Sequence, residues 1–184
     1  MNRHHHVFIA TSLDGFIADV KGGVAFLDTF PMPENNDMGY EAFMDQVDAL
    51  LMGRKSFETV LSFGVAWPYT KPVFVWSQTL EKIPVELEGK AELVQGTLEE
   101  VSAYLNTQGY HHFYLDGGKV IQSFLQADLV STMTITTIPV LLGEGIRLFG
   151  ELKTPVAFRC VRTNAYDQGM VQQVFERASD IQPK

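Results

Sequence analysis

The sequence predicts a three-layer α/β/α fold: a mostly parallel central sheet with helices on both faces, closed by an antiparallel C-terminal hairpin. Three observations carry this. Apolar runs of strand length alternate with helical stripes through the first 130 residues, the pattern of successive βαβ units. Thr97 and Glu100 form a T-x-x-E capping box ahead of Leu98, Val101 and Leu105, which fixes one helix start. Residues 156–177 read as two strands around a turn near 167–169.

Taken in order, residues 7–12 are apolar and β-compatible and form a buried strand. Tyr40, Phe43, Met44 and Val47 fall at i, i+3, i+4 and i+7, one face of a helix. Residues 49–52 are a short apolar run ending at Gly53, as in a buried parallel strand. Phe57, Val60 and Leu61 make a second helical stripe that closes near Gly64, and residues 72–76 are the next strand. The capped helix ends before Gly109. Residues 111–115 are a strand, and Val120, Ile121, Phe124 and Leu125 a helix. Residues 129–142 read as one long strand region interrupted at Pro139. The loosest stretch, residues 28–37, carries Pro31, Pro33, Asn35 and Asn36 and is a loop inside a domain. The 184 residues fit a single domain spanning 1–184.

Composition narrows the function classes. Lys plus Arg number 14 and Asp plus Glu 22, a net charge of −8. That field repels nucleic acid backbones, and no basic cluster compensates locally, so no nucleic-acid partner is expected. An anionic small molecule remains open, because one local Arg outweighs a distant field. No apolar stretch is long enough to span a membrane. The single cysteine, Cys160, leaves no intrachain disulfide and no Cys-rich zinc site, and a reducing cytoplasm is the expected compartment. His4 and His6 share one face of a strand, the spacing of a metal pair, but the His4–His5–His6 run reads foremost as a polar start to the first strand. No metal site is expected.

In a parallel α/β sheet, ligands sit beyond the carboxyl ends of the strands. Gly53-Arg54-Lys55-Ser56 follows one strand and opens a helix; Asp116-Gly117-Gly118-Lys119 does the same after another; Ser77-Gln78 follows a third. Two glycine-containing turns feeding helix starts, with a basic pair beside one, suit a phosphate or pyrophosphate. Geometry alone also accounts for any single glycine at such a turn. The common motifs are absent. Gly143 and Gly145 are followed at the third place by Leu148, which breaks G-x-G-x-x-G. Gly118-Lys119 is followed by Val120, which breaks the P-loop. Neither a G-x-S-x-G elbow nor a zinc-deaminase pattern occurs.

The ordered set Ile9-Ala10-Thr11-Ser12-Leu13-Asp14-Gly15-Phe16-Ile17-Ala18, Leu51-Met52-Gly53-Arg54-Lys55-Ser56-Phe57-Glu58, Leu115-Asp116-Gly117-Gly118 and Ile138-Pro139-Val140-Leu141-Leu142-Gly143 resembles the dihydrofolate reductase superfamily. Within it the chain is most similar to the branch holding the reductase (C-terminal) domain of the bifunctional riboflavin-biosynthesis enzyme. The resemblance implies a dihydrofolate reductase-like fold, NADPH as hydride donor, a small-molecule substrate and a homodimer. It places Gly53, Arg54, Lys55 and Ser56 at the adenosine phosphates, with Arg54 and Lys55 near the 2′-phosphate and Ser77 and Gln78 flanking that end. Gly117, Gly118 and the helix start at Lys119 would take the pyrophosphate, and a side chain at either glycine would collide with it or force an unfavourable backbone angle. Ala10 and Ile17 would contact the nicotinamide. The implied activity is reduction of a pyrimidine- or pteridine-like molecule, most similar to that of 5-amino-6-(5-phosphoribosylamino)uracil reductase. The alternatives are a dihydrofolate reductase-type activity and a nucleotide- or pterin-binding module without turnover. The phosphorylated riboflavin precursor needs an additional cationic site, which no residue here is assigned to. Dihydrofolate reductases carry an acid before the M-G-R strand. A gap-free count from Met52 puts Asp37 there, with Glu34 and Glu41 as rivals and a helix N-cap as Asp37's other role. Thr134 is the candidate for orienting the acid or the substrate, and residues 133–142 the candidate intersubunit surface.

Overall fold

In the computed structural model, which describes residues 4–30 and 36–178, ten strands and four α-helices follow one another. They are β1 (His5–Ser12), β2 (Phe16–Ala18), α1 (Tyr40–Met44), β3 (Ala49–Gly53), α2 (Arg54–Ser62), β4 (Val73–Trp76), β5 (Ala91–Val94), α3 (Leu98–Thr107), β6 (Phe113–Asp116), α4 (Gly118–Gln126), β7 (Val130–Ile138), β8 (Ile146–Arg147), β9 (Phe158–Ala165) and β10 (Val171–Arg177). Eight strands form one sheet in the order β5-β4-β3-β6-β1-β7-β10-β9, while β2 and β8 pair separately. The first six strands of that order are parallel. β10 and β9 run antiparallel and close the edge.

Alternation along each strand divides the core into two layers. Ala49 and Leu51 of β3 face one way, with Phe113 and Leu115 of β6, and meet α3 and α4 through Val101, Leu105, Val120, Ile121, Phe124 and Leu125. Leu50 and Met52 face the other way, with Val73, Val75 and Tyr114, and meet α1 and α2 through Phe43, Met44 and Phe57. The apolar run at residues 49–52 is therefore continuous because both faces of β3 are covered. The capping box is realised: Glu100 N–H donates to Thr97 Oγ1 at 3.2 Å, and Thr97 N–H donates to Glu100 Oε2 at 2.8 Å.

Three expectations are revised. β7 stops at Ile138, where Pro139 removes the next ladder donor. β7 also lies between β1 and β10 with Met133, Thr134, Ile135, Thr136 and Ile138 buried. Within the expected intersubunit surface at residues 133–142, the strand part is thus mostly spent on the core, while Leu141 beyond it is exposed. The histidine run is not a frayed start. His5 is 6% exposed, stacks on Phe113 at 4.5 Å between ring centroids, and meets the edge of Phe124 at 5.0 Å.

Burial holds His5 neutral, its pKa lowered to about 3, with His6, His4 and His112 opposing its charge further. Burial and the neighbouring His112 and His4 bring His6 to about 4. The unfolded chain therefore binds more protons than the folded one below about 6.5, and this part of the stability is lost as pH falls through that window. His5→Phe keeps a ring in the stack and removes the titration. Compared by urea unfolding at pH 7 and pH 5, the native protein should lose stability relative to His5→Phe on acidification. A constant difference between the two would place the titration elsewhere.

Candidate active site

The carboxyl ends of β3 and β6 each turn directly into a helix. Gly53 leads into α2 and Gly117, at φ +88°, into α4. The two helix starts abut. A Cβ added at Gly117 would run into the Ser56 hydroxyl of α2, and one at Gly53 would lie 3.7 Å from Val120 of α4. Neither start has a side-chain cap, in contrast to α3. The first-turn N–H groups of two adjacent helices thus face the same rim without a capping acceptor, and their partial positive charges add. Arg54 stands in the first turn of α2, 3.4 Å from Glu58; Lys55 and Lys119 are exposed beside the two turns.

The neighbouring strand end is tied down. Ser77 is buried and its hydroxyl accepts from the N–H groups of Thr79 and Leu80. Trp76 Nε1 and Gln78 Nε2 both donate to the Gly96 carbonyl, at 2.9 and 3.0 Å. Ser77 and Gln78 therefore shape this end of the rim through the backbone.

Asp116 was not singled out by the sequence reading as an acid. It is the last residue of β6, and strand register puts it in one row with Met52 of β3. Phe8 of β1 pairs with Thr134, and Thr134 with Val174; Phe8 lies two residues past the His6–Tyr114 pair, which sets it beside Asp116. The row lies on the α1–α2 face, because Phe8 and Met52 both belong to that layer. Rings crowd this face: Phe8 lies 5.4 Å from Tyr40 and 5.0 Å from Phe43, and Phe43 lies 5.0 Å from Tyr114, centroid to centroid. Burial raises the Asp116 pKa to about 6 against a hydrogen bond from the Gly117 N–H that lowers it. Burial and then the Asp116 charge raise Tyr40, Tyr69 and Tyr114 above the usual phenol range. Phe8, Tyr40, Tyr69 and Asp116 all keep part of their surface exposed, so this ring-lined recess opens to solvent with an acid at its floor.

The S-L-D-G segment after β1 is a clasp. Ser12 Oγ donates to Asp14 at 2.6 Å and accepts from Phe16 N–H at 2.9 Å. Asp14 accepts from the N–H groups of Leu142 and Gly143, at 3.2 and 2.7 Å. The bond from Ser12 leads the effects that hold its carboxyl at about 2. The clasp carries the chain into β2, where the Ile17 side chain reaches Gly118. Ala10 sits one row beyond Phe8, level with Thr136.

Asp37 does not reach the recess. It is exposed, and its carboxyl accepts from Gly39 N–H at 2.9 Å and Glu41 N–H at 2.7 Å, binding the free donors at the entry to α1. Those bonds lower its pKa, the wrong direction for an acid at neutral pH. Glu41 is exposed on α1, and Glu34 lies outside the described residues. Thr134 is buried in the Asp116 row with Phe8 between them, about 10 Å away by strand spacing. The sequence shows an acid alternating with Tyr114 on a strand that ends at a glycine pair, but its place in the row with Met52 and Phe8 follows only from strand register.

The glycine pair is also demanded by the protein itself. A Cβ at Gly118 would lie 3.1 Å from the Arg147 carbonyl oxygen and 3.2 Å from Ile17 Cδ1. Crowding at both glycines is therefore intramolecular, and does not need a bound pyrophosphate to explain it.

Residues 3–172 match the family described as the RibD C-terminal domain. The uncharacterized protein YwjB of Bacillus subtilis (strain 168) is 30% identical over 179 residues, covering 97% of this chain and 100% of that one. A solved structure from Shewanella sp. PV-4, named for riboflavin biosynthesis, is 44% identical with a TM-score of 0.89, covering 95% and 99% of the two chains. The dihydrofolate reductase of Enterococcus faecalis, solved with NADP(H), shares the fold at 17% identity and a TM-score of 0.64, covering 98% and 99%.

Gly117→Ala tests the junction of the two helices. The positive φ with extended ψ alone costs a residue with a Cβ about 1–3 kcal/mol, and the Ser56 hydroxyl adds a clash. Thermal unfolding should show a clear loss that Ser56→Ala relieves in part. An equal loss in both backgrounds would leave only backbone strain.

Proposed function

The chain belongs to the RibD C-terminal domain family, and we propose that it is an NADPH-dependent reductase of a pyrimidine- or pteridine-like ring in which Asp116 supplies the proton. The observation that carries this is the position of one residue. Asp116 closes the floor of the ring-lined recess, and the next residue, Gly117, opens the helix start that abuts α2. Acid and anion-binding donors are thus one peptide bond apart.

The dinucleotide, when bound, supplies the hydride. The residues present fit it, because both helix starts offer uncapped backbone donors. Gly53, Arg54, Lys55 and Ser56 would hold the adenosine-side phosphates, Gly117, Gly118 and Lys119 the pyrophosphate, and Ala10 and Ile17 the nicotinamide ring. Hydride addition to a C=N or conjugated C=C–C=O group leaves negative charge on the substrate. A carboxyl with a pKa near 6 stays partly protonated at neutral pH and donates to that charge. The recess supports the ring by contact and sheds water around it.

Asp116→Asn is the direct test. It keeps the shape, removes the proton, and should lower turnover roughly 10²–10⁴-fold while NADPH still binds. In the native enzyme the rate should fall as pH rises through about 6; the variant should lack that inflection. The same substitution should raise the melting temperature at pH 7, because a carboxyl whose pKa is raised on folding loses stability as pH rises through 3.8 to about 6. Full turnover in Asp116→Asn would remove Asp116 from the chemistry. Arg54→Ala tests the cofactor: it should weaken NADPH far more than NADH in titration, since charge-assisted bonds to the 2′-phosphate are among the strong ones. Equal losses would detach Arg54 from that phosphate.

A further inference from the structure

We infer that Gln172 is a positioning residue of the recess: from the buried face of β10 it holds the Met38 carbonyl, and through it sets Tyr40 as the wall beside Asp116. This deepens the reductase reading and rests on it only for what the recess receives.

The chain enters α1 through a knot that bonds largely to itself. Met38 N–H donates to Asn36 Oδ1 at 2.8 Å, Gly39 N–H and Glu41 N–H donate to the Asp37 carboxyl, and Tyr40 N–H donates to the Asp37 carbonyl at 3.1 Å. Met38 and Gly39 stand at φ +57° and +83°, two successive left-handed residues that turn the chain sharply. A residue with a side chain keeps that conformation only where its surroundings enforce it. Asn36 and Asp37 are both exposed, so their bonds fix the shape of the knot and not its place on the sheet. α1 has five residues, too few to hold a direction alone.

Gln172 supplies the anchor. It is 1% exposed and lies opposite Thr136 of β7, in the row of Ala10. On the same face Ile138 stands two residues beyond Thr136 and Met170 two before Gln172, both in an apolar cluster with Phe26. An amide in such surroundings costs free energy unless its polar atoms are bonded. Here they are: Nε2 donates to the Met38 carbonyl at 3.0 Å and to Thr136 Oγ1 at 3.3 Å, and Oε1 accepts from the Tyr166 hydroxyl at 3.4 Å. The reverse orientation would set Oε1 against the Met38 carbonyl, acceptor facing acceptor. A methionine would fill the same volume without this demand; the amide instead selects one placement of the residue it holds.

What Met38 places is Tyr40, two residues on. The Tyr40 ring meets Phe8 edge-on at 5.4 Å and Tyr114 at 6.4 Å, centroid to centroid, and the Asp116 charge acts on its phenol. Phe8 and Tyr114 stand on β1 and β6 and stay in place when the Met38 carbonyl shifts. Tyr40 does not, and the recess opens on the side of α1.

The test labels the native full chain, without cofactor, with 3-fluorotyrosine and follows Tyr40 by fluorine NMR, its resonance assigned through Tyr40→Phe. Gln172→Met keeps the volume and removes both donors. It should move or broaden the Tyr40 resonance while those of Tyr104 and Tyr110 stay. Gln172→Glu, at mildly acidic pH, has a carboxyl that burial keeps protonated, with one donor left for the Met38 carbonyl; its Tyr40 resonance should stay near the native one. Val101→Ala, in the core under α3, controls for general loss of stability and should leave Tyr40 unmoved. In turnover with NADPH, and with 5-amino-6-(5-phosphoribosylamino)uracil or dihydrofolate as acceptor, Gln172→Met should raise KM about five- to tenfold with kcat held within about twofold, because a loosened wall weakens ground and transition states alike. An unmoved Tyr40 resonance in Gln172→Met would overturn the inference. So would the same displacement in Gln172→Glu or Val101→Ala, or an unchanged KM. A native protein that turns over neither acceptor would count against the reductase reading instead, and the fluorine comparison would still decide the anchor.

Discussion

The turn from Asp116 to Gly117 is the constraint on which the site depends. β6 is inserted between β1 and β3, so its carboxyl end emerges at the centre of the rim. Gly117 takes a positive φ, which lets α4 begin at once and close against Ser56 of α2. A Cβ would cost both the backbone conformation and the contact. With the contact in place, two sets of free helix N–H groups share one edge and the carboxyl of the preceding residue is carried into the recess. Gly118 extends the same logic to the other side, where β2 and β8 pack close enough to exclude a side chain.

Around that turn the loops are held by side chains that spend themselves on backbone groups. Asp14 and Ser12 secure the exit of β1 to Leu142 and Gly143. Asp37 gathers the N–H groups that lead into α1. Gln172, fully buried on β10, donates from Nε2 to the Met38 carbonyl at 3.0 Å and to Thr136 Oγ1 at 3.3 Å. Met38 is held at φ +57°, unusual for a side chain of its size. The Gln172 bond pins that bend and with it the position of Tyr40, two residues on. Short polar residues compete for nearby backbone donors wherever a strand or helix ends, so most of the polar residues at this rim are structural.

That competition explains what was legible in the sequence. The parallel sheet, the two-sided burial of β3, the capped helix and the closing hairpin all rest on repeating patterns, which survive without knowledge of the partners. β5 escaped because Ala91-Glu92-Leu93-Val94 is a short edge strand with an exposed Glu92 breaking its apolar run. β2 and β8 are three and two residues long and are defined by their pairing across more than a hundred residues, which no local pattern encodes. At the site, the helix starts were readable because glycine after a strand is a local signal. The acid was not, because its role depends on register: only the pairing of β6 with β1 and β3 reveals that Asp116 shares a row with Phe8 and Met52. Asp37 has the residue type expected of an acid, and the structure gives it the other role that type commonly serves.

The sheet thus carries two kinds of buried titratable group on its paired central strands. His5 and His6 open β1, and Asp116 ends β6. Their effects on stability oppose one another. Neutral histidines with pKa values of about 3 and 4 make the fold weaker as pH falls below 6.5. A carboxyl raised to about 6 makes it weaker as pH rises from 3.8 towards 6. The two windows overlap between about 4 and 6, and there the slopes subtract. A flat stability curve across this range would therefore be a sum of opposed titrations, with the histidine and the carboxyl separable only by removing each in turn. The two differ in what they return. Burying His5 gains a ring stack on Phe113 but leaves its Nδ1 without a hydrogen-bond partner, so its cost is offset only in part. Asp116 gains one backbone hydrogen bond from Gly117 and no charge partner of opposite sign among the described residues. A fold that retains an uncompensated carboxyl at the floor of a recess retains a source of instability, and raised carboxyl groups of that kind gather at functional sites.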